Sequence, residues 1–474
     1  MNSSDFIHKA WLQVEARSAR RFERARAKSG FLPPDPGSPV GTDMLPQIRH
    51  IVVLMMENHS FDNYFGMLGR GDGLAVGSDM LPTAANPTSG GRVVRAHRLN
   101  STAQPPHVPT QGWEPAHEQW AGGTNEGFIR SAELRAQQLG MEEFDPSIAM
   151  GYWTDEDLPF YAGLARVFPL ADRWFSSCLG PTFPNRRFLI AGTANGLTSD
   201  SLAHTFDRPA GGTLFDLLAS HGISWANYHP IPHRSLLLRR GLGAHGLRAS
   251  RRAAGAVRQA AGRVRDASAA PKSILQFTGD TYPLGMLRYA LHVHSIDRFL
   301  DAAAAGTLPS VSIVDPDFRT CSEENPQDIR LGEAFAARII NAVLEGRGWQ
   351  HTLLIWLYDE HGGYFDHVAP PPAVEPDDRR PKGGEPWRYD RLGIRVPAVI
   401  VSPYARPDYV SHVVHDHTSV LKLIETKWNL PPLTRRDAQA DDLLDSLDLA
   451  SPPTFAEPPT LPLPALARLP ASAC

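Results

Sequence analysis

Leu353-Leu354-Ile355-Trp356-Leu357-Tyr358 runs without a polar residue into Asp359-Glu360-His361-Gly362-Gly363. A short apolar run with no alternation reads as a strand buried on both faces, the situation of a parallel sheet. The same grammar occurs near the start, where Ile51-Val52-Val53-Leu54-Met55-Met56 runs into Glu57-Asn58-His59-Ser60-Phe61-Asp62. Val311-Ser312-Ile313-Val314, Val399-Ile400-Val401 and Ser224 to Tyr228 read as further strands. Helices are predicted from Pro184 through Ala191, over Thr213 to His221, Gly332 to Glu345 and Ser419 to Trp428, and within Trp153 to Ala171. Strands alternating with helices predict an α/β fold, an α/β/α sandwich around a mostly parallel sheet. Ligands of such sheets bind beyond the carboxyl ends of the strands, so the polar clusters that follow the strands are where chemistry is sought.

The chain has 474 residues, enough for one large domain with insertions or for two domains. Apolar residues at 42% and charged residues at 21% are ordinary for a soluble globular protein. A formal charge of -4 argues against a dedicated nucleic-acid binder. Cys178, Cys321 and Cys474 are too few for a disulfide framework and lack the paired spacing of a zinc site. Residues 1–43 read as a basic, solvated helix and linker broken at Pro33-Pro34-Asp35-Pro36-Gly37. Its arginines follow no apolar core, so it does not read as a secretory signal, and no run reaches membrane-span length; the default expectation is a cytoplasmic protein. Residues 44–450 form the main domain, with insertions near 69–127 and 234–270. The proline-rich tail, 451–474, is expected to be extended or disordered.

Two strands ending in acid-rich clusters, if neighbours, would crowd Glu57, Asp359, Glu360 and the Asn58 amide at one sheet edge. Such a set repels itself without a cation, and hard oxygen ligands suit a divalent metal: calcium, zinc, magnesium or manganese. A single acid would more readily be a helix cap, but two clusters weaken that reading. Gly180-Pro181-Thr182-Phe183-Pro184-Asn185-Arg186 puts Thr182 at or just before a helix start, where backbone N–H groups favour an anion. A threonine hydroxyl is a weak nucleophile until a metal lowers its pKa, and alone Thr182 would be an ordinary cap.

Taken together these blocks resemble the bacterial phosphoesterase family that includes phosphatidylcholine-type phospholipases C, plant non-specific phospholipases C and a group of acid phosphatases. The matching pieces are Glu57 to Asp62, Pro181 to Arg186, Gly306-Thr307-Leu308-Pro309, Tyr358 to Gly363 with Phe365-Asp366-His367-Val368, and Asp416-His417-Thr418-Ser419, in order from Ile48 to Asn429. The resemblance implies an alkaline phosphatase-like fold. It makes Glu57, Asn58, Asp359 and Glu360 metal ligands and Thr182 a nucleophile that also touches the metal. It makes His117 a contact to the phosphoryl group, with Asn58 also binding substrate. His292 is a candidate for a second such histidine, and His294 is close enough to be confused with it. Where relatives carry an acid-histidine-proline step, this chain reads Glu324-Asn325-Pro326; Asn325 can donate a hydrogen bond to substrate but cannot carry a proton. His361, His367 and His417 read as braces rather than ligands.

The activity implied is metal-dependent hydrolysis of phosphate esters through a phosphothreonine, of phospholipase C type on a phosphodiester such as a phospholipid. A phosphomonoesterase is the alternative, and a binding protein with a relic site a weaker one. A sulfatase is disfavoured, because Thr182 stands where a modified Cys or Ser would be needed. The partner is then a phosphate ester or phospholipid, with no nucleic acid, no protein partner evident, and a transient membrane-surface contact left open. The basic stretch Arg234 to Arg265 reads as a solvated face, or as an electropositive lid.

Overall fold

The structure is a computed structural model that describes residues 20–24, 26, 28–106, 109–141, 144–200, 208–230, 278–282, 287–383 and 386–466. The expected lid at Arg234 to Arg265 lies outside the described residues.

The apolar runs form the strands their composition requires. The central sheet contains β1 (His50–Met56), β2 (Leu170–Ala171), β3 (Trp225–His229), β4 (Val293–Ser295), β5 (Val311–Val314), β6 (Thr352–Tyr358), β7 (Ala398–Val401) and β8 (Val410–Ser411). Its order is β8-β2-β7-β6-β1-β5-β3-β4. β1 pairs in parallel with β6 on one side, Met56 opposite Tyr358, and with β5 on the other, Ile51 opposite Val311. β3 is parallel to β5 and to β4. Only β7 runs against its neighbours, antiparallel to β6 and to β2. Every residue of β6 and all but the first of β1 are buried, which accounts for their unbroken apolar sequence.

The helices are α1 (Phe61–Phe65), α2 (Trp113–Trp120), α3 (Phe128–Leu139), α4 (Pro159–Val167), α5 (Thr182–Ala191), α6 (Leu214–Ser220), α7 (Ile296–Ala305), α8 (Ile329–Leu344), α9 (His417–Trp428) and α10 (Arg435–Gln439). One group packs α7 on α8 and α8 on α4; another packs α5 against α6 and α9, and α9 against α10. The fold is thus α/β, a largely parallel sheet flanked by helices, with a long excursion between β1 and β2. Within that excursion lie α2 and short strand pairs, 85–87 with 93–95 and 97–98 with 151–152, so the expected insertion at 69–127 carries secondary structure of its own. No helix among the described residues is long and apolar enough to cross a membrane.

The described parts of both terminal segments pack against the domain. The N-terminal segment is not simply solvated: Phe22 and Arg26 are buried, and Arg26 donates to Gly211 O and Ser220 Oγ, 3.0 Å each. The proline-rich tail is extended but packed. The Phe455 ring lies 4.9 Å from that of Phe168, and Trp349 Nε1 donates to Phe455 O at 2.8 Å. Pro462 sits where a side chain on Gly163 would be, and Ala465 N donates to Glu333 at 2.8 Å. Proline has no N–H and needs no strand partner, so this sequence lies across packed helices by side-chain contacts and a few backbone hydrogen bonds.

Candidate active site

Because β1 and β6 are parallel and in register, their polar continuations leave the sheet side by side. Asn58 N donates to Asp359 Oδ1 at 3.3 Å, and Glu360 N donates to the same oxygen at 2.8 Å. Asn58 has a left-handed backbone (φ 71), a conformation that asparagine tolerates better than most residues. Gly362, also left-handed (φ 67), packs so tightly there that a Cβ would lie 1.9 Å from Asn58 O. The glycine following the acid pair is therefore what lets the two strand ends meet.

α5 brings Thr182 to the same edge. Its helix starts at Thr182, with Pro181 in an extended conformation before it. The Asn185 side chain folds back on the turn: it accepts from Cys178 N at 3.1 Å and donates to Gly180 O at 2.9 Å and Pro181 O at 3.1 Å. Thr182 Oγ1 lies 3.4 Å from Asn58 Oδ1. One turn on, Arg186 is fully buried among the acids. Its Nε meets Asp359 at 2.9 Å, Nη1 meets Asp315 at 2.9 Å, and Nη2 lies 3.8 Å from Glu57. Asp315, at the end of β5, is an acid that sequence reasoning did not single out. Its place directly after an apolar strand was the available signal.

The electrostatics favour a cation at this edge. Glu57, Asp315, Asp359 and Glu360 are all buried with Arg186 as the guanidinium among them. Burial pushes the Asp359 carboxyl up to about 7. His361 and His417 add no charge, since burial lowers them to about 3 and about 4. The Glu360 carboxylate accepts from Gly362 N at 2.7 Å and lies 3.3 Å from His361 Nδ1. His361 Nε2 in turn meets Gln119 Oε1 at 2.7 Å, and His417 Nε2 donates to Asp359 O at 2.7 Å. The excess of buried carboxylate over guanidinium, with an amide and a hydroxyl beside it, is an oxygen donor set that fits a hard divalent ion.

A second cluster lies close by in sequence. Asp62, Asp366 and His367 bring ligand atoms within 4.8 Å of one another and could hold a divalent metal. Here, however, Arg395 inserts its guanidinium, 2.8 Å from Asp366 and 3.1 Å from Asp62. His367 Nδ1 meets Asp62 at 2.7 Å, which raises its pKa against the effect of burial. Each acid cluster thus holds one buried guanidinium, Arg395 here and Arg186 at the Glu57–Asp359 edge.

The remaining expected residues are placed as follows. His117 is on α2, buried, donating Nδ1–H to Trp113 O at 2.7 Å and stacked on Trp387 with centroids 4.2 Å apart. Trp113 packs against Gly180, so α2 borders the Thr182 turn. Burial lowers His117 to about 4, so at neutral pH its Nε2 carries a lone pair. Asn325 gives one amide hydrogen to Pro105 O at 3.1 Å. His292 is not brought to this edge: its ring stacks on Trp225, at the amino end of β3, and Nδ1 meets Trp225 O at 3.0 Å. His294 is level with Tyr228 on β4, the strand at the far end of the sheet. The histidine at the carboxyl end of β3 is His229, next to Asp315.

The model of the Phosphoesterase family matches residues 48–431. The chain belongs to the phosphoesterase family. Among curated relatives, this phosphoesterase is 31% identical over 448 residues to phospholipase C B of Mycobacterium tuberculosis, covering 86% of this chain and 79% of that one. It is 28% identical to non-specific phospholipase C6 of Arabidopsis thaliana, covering 86% and 73%. A solved structure of an alkaline phosphatase superfamily protein from Vibrio parahaemolyticus aligns over 93% of this chain and 79% of that one, at 8% identity and a TM-score of 0.35. The phosphoesterase is a phosphoric ester hydrolase with phospholipase C-type relatives, and a phosphate ester or lipid is its substrate.

Proposed function

We propose that this phosphoesterase cleaves a phospholipid-type phosphodiester by phospholipase C chemistry, through a phosphothreonine at Thr182. The observation that carries the reading is Thr182 Oγ1, on the first residue of α5, 3.4 Å from Asn58 at an edge crowded with buried carboxylates. Glu57, Asn58, Thr182, Asp359 and Glu360 would hold a divalent ion. When bound, such an ion lowers the pKa of the threonine hydroxyl and offsets charge on the phosphoryl oxygens.

The chain's own groups do the rest. Thr182 Oγ attacks phosphorus as its proton passes to His117 Nε2, the bond from phosphorus to the alcohol oxygen breaks as that oxygen takes the proton from His117, and water then hydrolyses the phosphothreonine. The Asn58 amide donates to a non-bridging oxygen. His117, with Nδ1–H committed to Trp113 O, meets the substrate as a neutral ring and accepts a proton at Nε2. Arg186 holds Asp359 and Asp315 in place and keeps the acid cluster from splaying. Neither Asn325 nor His292 is given a role in the reaction.

In a folded Thr182→Ala protein, turnover should fall by at least about a thousandfold, and no phosphoenzyme should be trapped on acid quench. Near-native turnover, or a phosphoryl group mapped by mass spectrometry to another residue, would overturn the nucleophile. A panel of phosphatidylcholine, glycerophosphodiesters and aryl phosphates, each with calcium, zinc, magnesium or manganese, decides between the diester and monoester substrates, which share the same chemistry at phosphorus.

A further inference from the structure

One buried acid takes no part in the reaction just described. Glu323 has no exposed surface, and its carboxylate is met by the phenols of Tyr64 at 2.6 Å, Tyr161 at 2.5 Å, and Tyr358. Its backbone carbonyl accepts from Gln104 Nε2 at 2.5 Å and meets His59 Nε2 at 3.1 Å. Its backbone is left-handed (φ 77), a conformation that costs a non-glycine residue energy and persists only where surroundings enforce it. The enforcement is visible: α8 passes so close that a Cβ on Gly332 would lie 2.1 Å from Glu323 Cγ. A buried carboxylate holding phenols from separate elements at the expense of strained backbone is an unusual arrangement for mere packing.

The elements it ties are informative. Tyr358 is the last residue of β6 and directly precedes Asp359. Tyr64 lies on α1, the helix into which Glu57 and Asn58 lead. Ser322, the residue before Glu323, accepts from Glu57 N at 3.0 Å. Tyr161 lies on α4, away from the ligand-bearing strand ends. One carboxylate therefore spans both segments that carry the acids of the active edge, and its own loop touches the backbone of one of those acids.

We propose that Glu323 is a positioning residue for the metal-ligand edge, the peg that sets the ends of β1 and β6 against each other. The proposal rests on the reading of Glu57, Asn58, Asp359 and Glu360 as metal ligands. It assigns Glu323 no contact with substrate. Removing one acceptor from the peg lets the two strand ends drift by a fraction of an ångström. A pair of carboxylates feels that drift as lost ion affinity before the fold as a whole is lost.

Glu323→Gln keeps the shape and replaces one acceptor oxygen by an amide NH2 facing the phenols. The measurement is divalent-ion affinity by equilibrium dialysis with manganese and zinc, beside kcat and KM on an aryl phosphate, at matched folded fraction by near-ultraviolet circular dichroism. The expected result is a loss of about tenfold or more in ion affinity and in kcat, with KM little changed. Unchanged ion affinity and kcat with only a lower Tm would overturn the proposal. Where Glu323→Gln does not fold, Tyr358→Phe and Tyr64→Phe each remove one phenol from a ligand-bearing segment, and Tyr161→Phe removes the one from α4. The proposal holds if the first two weaken ion binding more than the third, and falls if all three act alike. A native chain that binds no divalent ion at all would sink the metal reading itself, a result distinct from a native chain that binds and variants that bind equally well.

Discussion

At the scale of single residues, Arg186 has the most demanding position. A guanidinium is planar and forked, and here it serves acids from three strands together with the Met56 carbonyl at 3.0 Å and Thr278 Oγ1 at 2.9 Å. Arg186→Lys supplies charge without the fork, so Asp315 or Asp359 loses its partner while remaining buried. We expect a loss of about 3–5 kcal/mol in stability, read from urea midpoints. Asp359→Asn should release bound divalent ion as well as slow turnover, because an amide removes charge that a hard cation requires; full occupancy by elemental analysis would return Asp359 to a purely structural role. The placement of Glu57, Asn58, Asp359 and Glu360 after strands and of Thr182 at a helix start was readable in the sequence. The partners of Arg186 were not readable, because nothing local announces which distant acids a buried guanidinium will collect. The misplaced histidine has a similar cause: His292 and His294 sit two residues apart before a helix, and sequence alone does not say to which end of the sheet that segment returns.

Elements carry the next level of constraint. Gly362→Ala would force a Cβ to 1.9 Å from the Asn58 carbonyl in a left-handed backbone, so the two ligand-bearing loops would have to part. The expected cost is about 3 kcal/mol in denaturant unfolding, with weaker ion binding in the fraction that remains folded. A second element-level device is Glu333 on α8. It accepts from Phe160 N at 2.8 Å at the start of α4 and from Ala465 N of the tail at 2.8 Å. Burial raises its pKa to about 7. The folded state thus binds a proton that the unfolded state has lost, so this contribution to stability is present below the unfolded value and declines as pH rises toward about 7. The Tm of the native chain relative to Glu333→Gln should therefore fall between about pH 5 and about pH 8, and a constant difference would contradict it. β1, β3, β5, β6 and β7 were legible from their apolar runs, whereas β2, β4 and β8 are too short to show a pattern; β7 was legible as a strand but not in its direction, which no local pattern encodes. Helix starts moved by a few residues once their caps were visible: α9 begins at His417 rather than Ser419, capped by Asp416 in a capping box with Ser419. The tail was read as extended or disordered; it is extended, and the surface it packs on is not written in its own prolines.

The molecule as a whole is organised around β1, and β1 finds both of its sheet neighbours far along the chain, in β5 and β6. Its apolar residues Ile51 to Met56 are completely covered in the finished protein. Synthesis proceeds from the amino end, so this strand leaves the ribosome long before either strand that will flank it. Until then it is an unpaired apolar edge, the kind of segment that associates with other chains or is held by a chaperone. A fragment of residues 1–310, which contains β1 but neither partner, should accordingly be recovered as aggregate and show no cooperative melt; a soluble fragment that melts cooperatively would contradict this. Loop closure over such distances is slow, and refolding of the full chain should be limited by the docking of β5 and β6 onto β1. The active edge is built from the ends of those same strands, so it is among the last features to exist during synthesis, and the proposed ion site cannot form on a partly made chain.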